Sequence, residues 1–369
     1  MLRKLLFVTL VAAGAASAAL AADAARGAAS APTGPVLKVA FVYVSPVGQA
    51  GWTYQHDVGR QELETFLGPR VKTTVVESVP EGADAERVMR DLASQGNQLI
   101  FATSFGYQEP ALRVAADFPN VRFAVAGGYK TAPNVATYNA RHYEGRYLAG
   151  MLAGYQSSQG VAGYVAGFPV PEVVQGINAF TLGMRSVNPK AQVKVIWLDT
   201  WFDPARERDA ALTLVRQGAD VLTNHTASTA VAQVAEEQKV GLLAYQSDMR
   251  AVAPNAQLAA VTQHWGPYYV RTSKALIDGR WQPLPHVGGL KDAMVRIAAL
   301  GPRLKPEARQ ACMQKDDKIR SGQFRIFSGR LVDNTGRERQ PEGATMSDEQ
   351  VAKMDWLVQG VVGSLPSAR

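Results

Sequence analysis

Aromatic rings and short polar side chains follow nearly every apolar run of this sequence. Stacking between rings is geometrically specific, so several rings gathered in one place suit a flat π-system. A carboxylate among them, such as Asp248, would accept hydrogen bonds from N–H or hydroxyl groups of a ligand. A single aromatic residue is more often part of a core, but their repetition favours a binding site. The segments are 45–54, 103–107, 167–169, 199–203, 224–226 and 245–248.

Short apolar runs alternate with longer amphipathic segments from residue 37 onward, which indicates strands followed by helices. The strands are apolar enough to be buried on both faces, as in parallel sheets covered by helices. In such folds ligands bind at the carboxyl ends of strands, in the loops that carry the rings. A second series of strands begins after a predicted helix at 141–160. The sequence therefore predicts an α/β protein with two lobes and a cleft between them.

The length of 369 residues exceeds what one hydrophobic core usually holds, which also favours two lobes. We predict a first lobe from 36–140 plus 263–300, and a second lobe from 141–262 plus 301–369. By analogy with related folds, a helix near 267–278 should return the chain to the first lobe. A last helix is predicted over 353–365.

The amino terminus has the pattern of a removable secretory signal. Arg3 and Lys4 precede a 16-residue apolar run, 5–20, which ends in small residues. The alternative, a membrane anchor, needs about 20 strongly apolar residues. We predict a signal peptide at 1–22, a flexible leader at 23–35 and a soluble mature protein. The only cysteine, Cys312, excludes an internal disulfide and a lipid-bearing amino-terminal cysteine, so we expect no lipoprotein.

Motifs of enzymes and of metal sites are missing from the sequence. It has no G-x-S-x-G, P-loop, H-E-x-x-H or G-x-G-x-x-G pattern in a suitable place. The five histidines are dispersed, so we predict no metal and no cofactor. The net charge of +7 is scattered rather than clustered, which argues against a nucleic-acid partner.

Several segments together resemble the basic membrane protein family of ABC-transporter substrate-binding proteins, which includes purine nucleoside receptors. They are VGQAGWTYQHDVGR (47–60), SFGY (104–107), YEGRYLAG (143–150), GFPVPEVVQGINAFTLG (167–183), TWFDP (200–204), QGADVLTNHT (217–226), QSDM (246–249) and, near the end, SGRLVDNTG (328–336).

This resemblance implies a type I periplasmic-binding fold, two lobes joined by three crossovers, that closes on a purine. It implies an aromatic pair around the base and an acidic contact from the QSDM segment. The expected partners are the permease and ATPase of an inner-membrane importer, with the receptor a periplasmic monomer. The residues nominated are Trp52, Ser104, Phe105, Phe168, Trp201, His225 and Asp248.

One departure from the family concerns the choice of purine. Nucleoside-binding relatives usually carry a lysine that contacts ribose, where this chain has 262–267 with Trp265. A bulky Trp265 would fill the ribose space, so we favour a free base such as adenine over a nucleoside. Three alternatives stay open: a receptor for a sugar or another small ligand, a ligand sensor for a membrane kinase, and an exported nucleoside hydrolase using His225 and Asp248.

Overall fold

Two predominantly parallel β-sheets with helices packed on them, together with a small two-stranded antiparallel sheet, make up the described part of the protein. The computed structural model describes residues 34–366. The predicted signal peptide and nearly all of the predicted leader lie outside the described residues. Within the described part of the chain, no helix is both long enough and apolar enough to span a bilayer.

The first sheet has six strands, all parallel, in the order β11-β5-β4-β3-β1-β2. With the helices that alternate with these strands it forms the first lobe. Its elements are β1 (Leu37–Val42), α1 (Trp52–Leu67), β2 (Val71–Val76), α2 (Ala83–Ser94), β3 (Leu99–Ala102), α3 (Gln108–Asp117), β4 (Arg122–Ala126) and β5 (Val135–Ala140).

The second sheet has seven strands in the order β12-β10-β9-β8-β6-β7-β15, and only β12 is antiparallel to its neighbour. It is the sheet of the second lobe. The elements that follow β5 along the chain are α4 (His142–Gln156), β6 (Val161–Ala166), α5 (Pro171–Val187), β7 (Gln192–Trp197), α6 (Pro204–Arg216), β8 (Val221–His225), α7 (Ala230–Glu237), β9 (Gly241–Gln246) and β10 (Gln257–Gln263).

The remaining elements connect the lobes or form the tail. They are α8 (Gly266–Ile277), β11 (Pro285–Gly288), β12 (Val295–Ala298), α9 (Pro306–Arg320), β13 (Leu331–Val332), β14 (Glu338–Gln340), α10 (Asp348–Ala352) and β15 (Val361–Val362).

Burial explains why these strands stack into layers. Every residue of β3, β8 and β9 is buried, as expected for central strands with helices on both faces. One apolar cluster lies within the first lobe, a second lies almost entirely within the second lobe, and a third spans both. The strand ends of the two sheets, which face each other, are therefore supported by a continuous apolar core.

The chain passes between the two sheets three times. It crosses from β5 through α4 to β6, returns from β10 through α8 to β11, and crosses again from β11 to β12. The segment 263–300 consequently contributes to both sheets, because β11 pairs with β5 whereas β12 pairs with β10. Three adjacent connections of this kind allow the lobes to move as rigid bodies about a hinge.

The predicted helix at 353–365 is wrong. This segment carries two turns and the short strand β15, which extends the second sheet beside β7. The Asn178 side chain donates to the Trp356 carbonyl at 2.7 Å and accepts from the Val358 amide at 2.8 Å, which holds the backbone extended. Gly360 and Gly363 have φ angles of 102° and 135°, which no helix permits.

Candidate functional site

A cavity lies between the carboxyl ends of the two sheets. Its volume, counted as the space open to the centre of a water molecule, is about 40 Å³. Each lobe contributes six of the twelve lining residues, so the cavity is complete only when the lobes are together. The lining is Val44, Trp52, Ser104, Phe105, Ala126 and Gly127 from the first lobe, and Glu172, Trp201, His225, Thr226, Ala227 and Gln246 from the second.

Five of the eight residues predicted from the sequence line this cavity. They are Trp52, Ser104, Phe105, Trp201 and His225. Each comes from a loop or strand end where the sequence pattern placed it.

Two of the cavity rings are supported by a ring outside the cavity. Phe105 packs against Tyr129 with ring centroids 5.8 Å apart, and Trp201 meets Phe168 edge to face at 4.9 Å. Phe168 was predicted to contact the ligand, but it lies in an adjacent surface groove and supports Trp201 instead. The supporting rings limit how far Phe105 and Trp201 can turn, which favours rigid, flat faces for stacking.

Trp52 is fixed by contacts within the first lobe. It is the first residue of α1, and its indole N–H donates to the Thr103 carbonyl at 2.6 Å. Trp265 lies behind it with ring centroids 5.6 Å apart, and is itself fully buried in a nearly parallel stack on His56 at 4.8 Å. Trp265 is not among the residues that line the cavity, and it belongs to the layer that packs against Trp52.

The structure does not bring Asp248 to the cavity. Its carboxylate lies 2.5 Å from the Arg250 guanidinium and accepts from the Gln257 amide at 2.8 Å. These bonds stabilise the turn after β9 and direct the carboxylate away from the cavity lining. Asp248 is not among the residues that line the cavity, and the acidic contact that the resemblance implied for the QSDM segment stays a prediction.

A different carboxylate, that of Glu172, lines the cavity. Pro171 begins α5, which places Glu172 in the first turn, where free N–H groups and the helix dipole favour an anion. The Asn139 amide reaches across from the first lobe and donates to one carboxylate oxygen at 2.9 Å. The other oxygen lies 3.4 Å from Nε2 of His142 and 3.5 Å from Nε2 of His225. The carboxylate is therefore held by both lobes.

The charge state of this cluster follows from its surroundings. Burial raises the pKa of Glu172, but the nearby His142 and His225 imidazoles and the Asn139 amide outweigh burial and bring it to about 2. Burial lowers the pKa of His225 to about 4, against the opposing effect of Glu172, and it lowers that of His142 as well. At neutral pH the cavity thus presents one carboxylate anion and neutral imidazoles.

A buried cation lies beneath the cluster. The Arg146 guanidinium is fully buried, 3.4 Å from the centroid of the Tyr245 ring, and donates to the Thr223 hydroxyl at 2.8 Å and to the Asn224 carbonyl. Among residues 34–366 it has no carboxylate within ion-pair distance. Its positive charge opposes protonation of the imidazoles above it.

Gln246 is a further lining residue that sequence reasoning missed. It ends β9 with a φ angle of 74°, a left-handed conformation that costs a residue other than glycine about 1 kcal/mol or more. Its side-chain oxygen is buried and finds no hydrogen-bond partner in the described part of the chain. A strained residue with an unpaired polar atom is typical of a site that a ligand completes.

Protein stability should fall as the pH decreases from about 6.5 to 4. The folded protein holds the pKa of His225 at about 4, against an ordinary value of 6.5, so the unfolded chain binds more protons in this window. The neutral imidazole therefore stabilises the fold fully above pH 6.5 and progressively less below it. A difference of one pKa unit corresponds to about 1.4 kcal/mol. Over this pH window His225 alone therefore accounts for a loss of about 3 kcal/mol in the free energy of unfolding.

Urea unfolding of the ligand-free protein at several pH values tests this. A His225→Asn variant should lose a measurable part of the pH dependence, with the rest coming from the buried His56 and His142, whose pKa values burial also lowers, whereas His286→Asn, which removes a half-buried imidazole on β11, should keep most of it. An unchanged pH dependence in His225→Asn would contradict the assignment.

Comparisons with known proteins agree with the fold and with the family resemblance. Residues 36–327 match the family described as ABC transporter substrate-binding protein, PnrA-like. A purine-binding protein of Brucella abortus (strain 2308) is 46% identical over 330 residues, which cover 89% of this chain and 94% of that protein. A putative ABC transporter glucose-binding protein of Haloferax volcanii is 34% identical over 335 residues, 90% of this chain and 82% of that protein.

Solved structures share the two-lobed α/β architecture. A solute-binding protein of an ABC transporter system from Aeropyrum pernix K1 superposes with a TM-score of 0.68 at 18% identity, over 78% of this chain and 92% of that one. Another, from Conexibacter woesei DSM 14684, gives 0.65 at 20% identity, over 79% and 98%. At these identities the likeness concerns the fold alone, and it confirms the predicted fold class.

The sequence motifs, the fold and the family match lead to one assignment. The resemblance to the basic membrane protein family is confirmed over most of the chain. The chain belongs to the PnrA-like family of ABC transporter substrate-binding proteins.

Proposed function

We propose that this protein is the periplasmic receptor of an ABC importer and that its ligand is a free purine base of the adenine type. The observation that carries the proposal is the single carboxylate, Glu172, in a cavity lined by three aromatic rings. A flat heterocycle would stack on rings from both lobes. Its N–H groups would point at the carboxylate.

The chemistry of the cavity suits adenine. An ionised carboxylate only accepts hydrogen bonds, and adenine offers both an exocyclic amine and a ring N–H as donors. Charge-assisted bonds of this kind are stronger than bonds between neutral groups. The Brucella relative, which is named as purine-binding, supports the same class of ligand.

A sugar suits the cavity less well. Sugar receptors surround the ligand hydroxyls with several charged side chains, whereas Glu172 is the one Asp, Glu, Lys or Arg residue of the lining. The Haloferax relative, named as a putative glucose-binding protein, is the reason to keep a sugar in the test.

A nucleoside is disfavoured because the fully buried Trp265 packs against Trp52 and leaves no opening for a ribose on that side.

The mechanism we infer is hinge closure. Three contacts join the lobes around the cavity: Asn139 to Glu172 at 2.9 Å, Trp201 to Glu81 at 3.2 Å, and the Gly51 amide to Ser247 at 2.5 Å. A ligand that touches both lobes binds the closed state better and shifts the population toward it. Substrate-binding proteins of ABC transporters act outside the cytoplasm, and the permease and ATPase subunits would recognise the closed form.

The hydrolase alternative depends on His225 and Asp248 acting together. The Asp248 carboxylate is bound by Arg250 and Gln257, and His225 lies beside Glu172 instead. The family consists of binding proteins, which also favours a receptor without bond chemistry.

Ligand identification tests the proposal directly. Mass spectrometry of small molecules released from protein purified without added purine should detect a purine base. In thermal-shift assays, adenine at about 100 times its Kd should stabilise the folded protein by about 2.7 kcal/mol. This stabilisation should raise the melting temperature by about 5 °C. A larger shift with adenosine would overturn the preference for a free base, and a shift with glucose but no purine would overturn the ligand class.

A further inference from the structure

Glu81 joins the two walls of the cavity from outside it. It belongs to the turn between β2 and α2 in the first lobe. One oxygen of its carboxylate accepts hydrogen bonds from the Ser104 hydroxyl at 2.6 Å, the Gly106 amide at 2.9 Å and, across the cleft, the Trp201 indole N–H at 3.2 Å. Ser104 and Trp201 both line the cavity, one in each lobe.

The position of Glu81 is well defined before the lobes meet. Two of its three donors, Ser104 and Gly106, belong to its own lobe. Residue 106 must be glycine for this contact, since a Cβ there would lie 2.3 Å from the Glu81 carboxyl carbon. The first lobe therefore presents a preorganised acceptor to which Trp201 adds the third bond on closing.

Glu81 also lies on the route out of the cavity. It lines an outer groove together with Trp201 and Phe168, and Trp201 is shared between this groove and the cavity. Phe168 supports the Trp201 ring from the same side. A ligand stacked on Trp201 cannot move toward this groove unless the indole moves, and the indole is bound to Glu81.

We propose that Glu81 is a positioning residue that latches the closed state: its carboxylate captures the Trp201 indole when the lobes meet and slows the departure of the ligand. The latch rests on the proposed function only in requiring a ligand in the cavity. A hydrogen bond to a charged acceptor typically changes an equilibrium by about tenfold or more. We expect the effect in the dissociation rate, because the bond forms after the encounter.

Exchange of indole protons with solvent, followed by ¹⁵N NMR of the protein with bound adenine, tests the contact itself. The Trp201 signal, assigned with Trp201→Phe, should exchange about tenfold faster in Glu81→Ala than in the wild type. The Trp52 indole, bonded to Thr103 within the first lobe, is the internal reference and should not change. Equal Trp201 exchange in both proteins would overturn the latch.

The rate at which adenine dissociates tests the functional consequence of the latch. Glu81→Ala and Trp201→Phe should each release adenine about tenfold faster, and the double variant should be no faster than the quicker single variant. Glu77→Ala is the matched control, because Glu77 accepts the Val47 amide at 2.7 Å within the first lobe and should leave the rate unchanged. Additive effects in the double variant would overturn the latch.

The two proposals fail in different ways. If the wild type does not bind adenine, the proposed ligand is wrong, and both measurements are repeated with glucose as the probe. If the wild type binds but the Glu81 variants behave like it, the latch is wrong and the proposed function stands.

Discussion

A Glu172→Gln variant should bind adenine about 100-fold more weakly than the wild-type protein. The substitution keeps the size of the side chain but removes its charge, so the ligand N–H groups lose a charge-assisted acceptor. Hydrogen bonds to charged groups contribute about 1.5–3 kcal/mol each, and 100-fold in Kd is about 2.7 kcal/mol. The new amide would also direct N–H groups toward Asn139, His142 or His225, which now donate to or face the carboxylate. Isothermal titration calorimetry measures the change.

Two control variants separate this effect from a general loss of buried charge. Glu144→Gln removes a carboxylate that is buried to a similar degree on α4 and accepts the Leu290 amide at 2.7 Å, but that does not line the cavity. Asp248→Asn changes the residue that the family resemblance nominated. Both should bind adenine within about threefold of the wild type, since neither side chain touches the cavity. A large loss in Asp248→Asn with none in Glu172→Gln would mean that the acidic contact is where the resemblance implied.

The fold could be predicted from the sequence because its signals are local and repeated. Apolar runs separated by amphipathic segments report strands buried between helices, and these runs recur at regular spacing from residue 37 to 263. The aromatic positions in the cavity followed from the same pattern, since parallel strands place their carboxyl ends together. The pattern identified the strand-end loops that carry Trp52, Phe105 and Trp201, and the family resemblance nominated these three residues within them.

The acidic contact could not be predicted in the same way. Glu172 is one of 32 acidic residues, and although it lies in the family-like segment 167–183, the groups that surround its carboxylate, Asn139, His142 and His225, come from other elements. Its one local signal is its place in a first helical turn after Pro171, where an anion is favoured. Asp248 looked better from the sequence because it lies in a strand-end loop. In the structure Arg250, two residues on, binds the Asp248 carboxylate, a contact that the prediction from sequence did not consider.

The tail and Trp265 illustrate a second limit. The apolar spacing of 353–365 is compatible with a helix, but the hydrogen bonds that decide its conformation come from Asn178, more than 170 residues away. Trp265 likewise follows the end of a strand, where ligand-binding loops are expected, and only tertiary packing places it behind Trp52. Tertiary contacts override local preference at both positions.

The geometry of the cavity implies that the affinity for the ligand depends on how readily the two lobes close. Each lobe provides half of the lining, and Glu172 is positioned partly by Asn139 from the opposite lobe. An open protein would offer a ligand only one set of rings or the other. The measured affinity therefore depends on how freely the lobes can meet, and a substitution that touches no ligand can abolish binding if it keeps them apart.

Gly51→Ala should be such a substitution, lowering adenine affinity at least about 100-fold. Gly51 lies in the loop between β1 and α1, and a Cβ there would lie 2.4 Å from the Ala227 carbonyl oxygen of the second lobe. The obstacle is backbone, which no rotamer change can remove. The Gly51 amide also donates across the cleft to Ser247 at 2.5 Å, so a displacement of residue 51 itself breaks a closing contact. In a protein that is held open, the ligand keeps only the contacts that it makes with one lobe.

Gly48→Ala is the matched control for Gly51→Ala. Gly48 lies in the same loop with a φ angle of 60°, against 101° for Gly51, but the nearest atom to its added Cβ is 3.9 Å away and within its own loop. Gly48→Ala carries a backbone penalty of about 1–2 kcal/mol, and Gly51→Ala a larger one because φ of 101° and ψ of −166° are essentially confined to glycine. Urea unfolding measures both penalties, yet only Gly51→Ala should lose the ligand. Small-angle scattering at saturating adenine should then show compaction in the wild type and Gly48→Ala but not in Gly51→Ala. Normal affinity and compaction in Gly51→Ala would mean that the lobes do not close through the contact between Gly51 and Ala227.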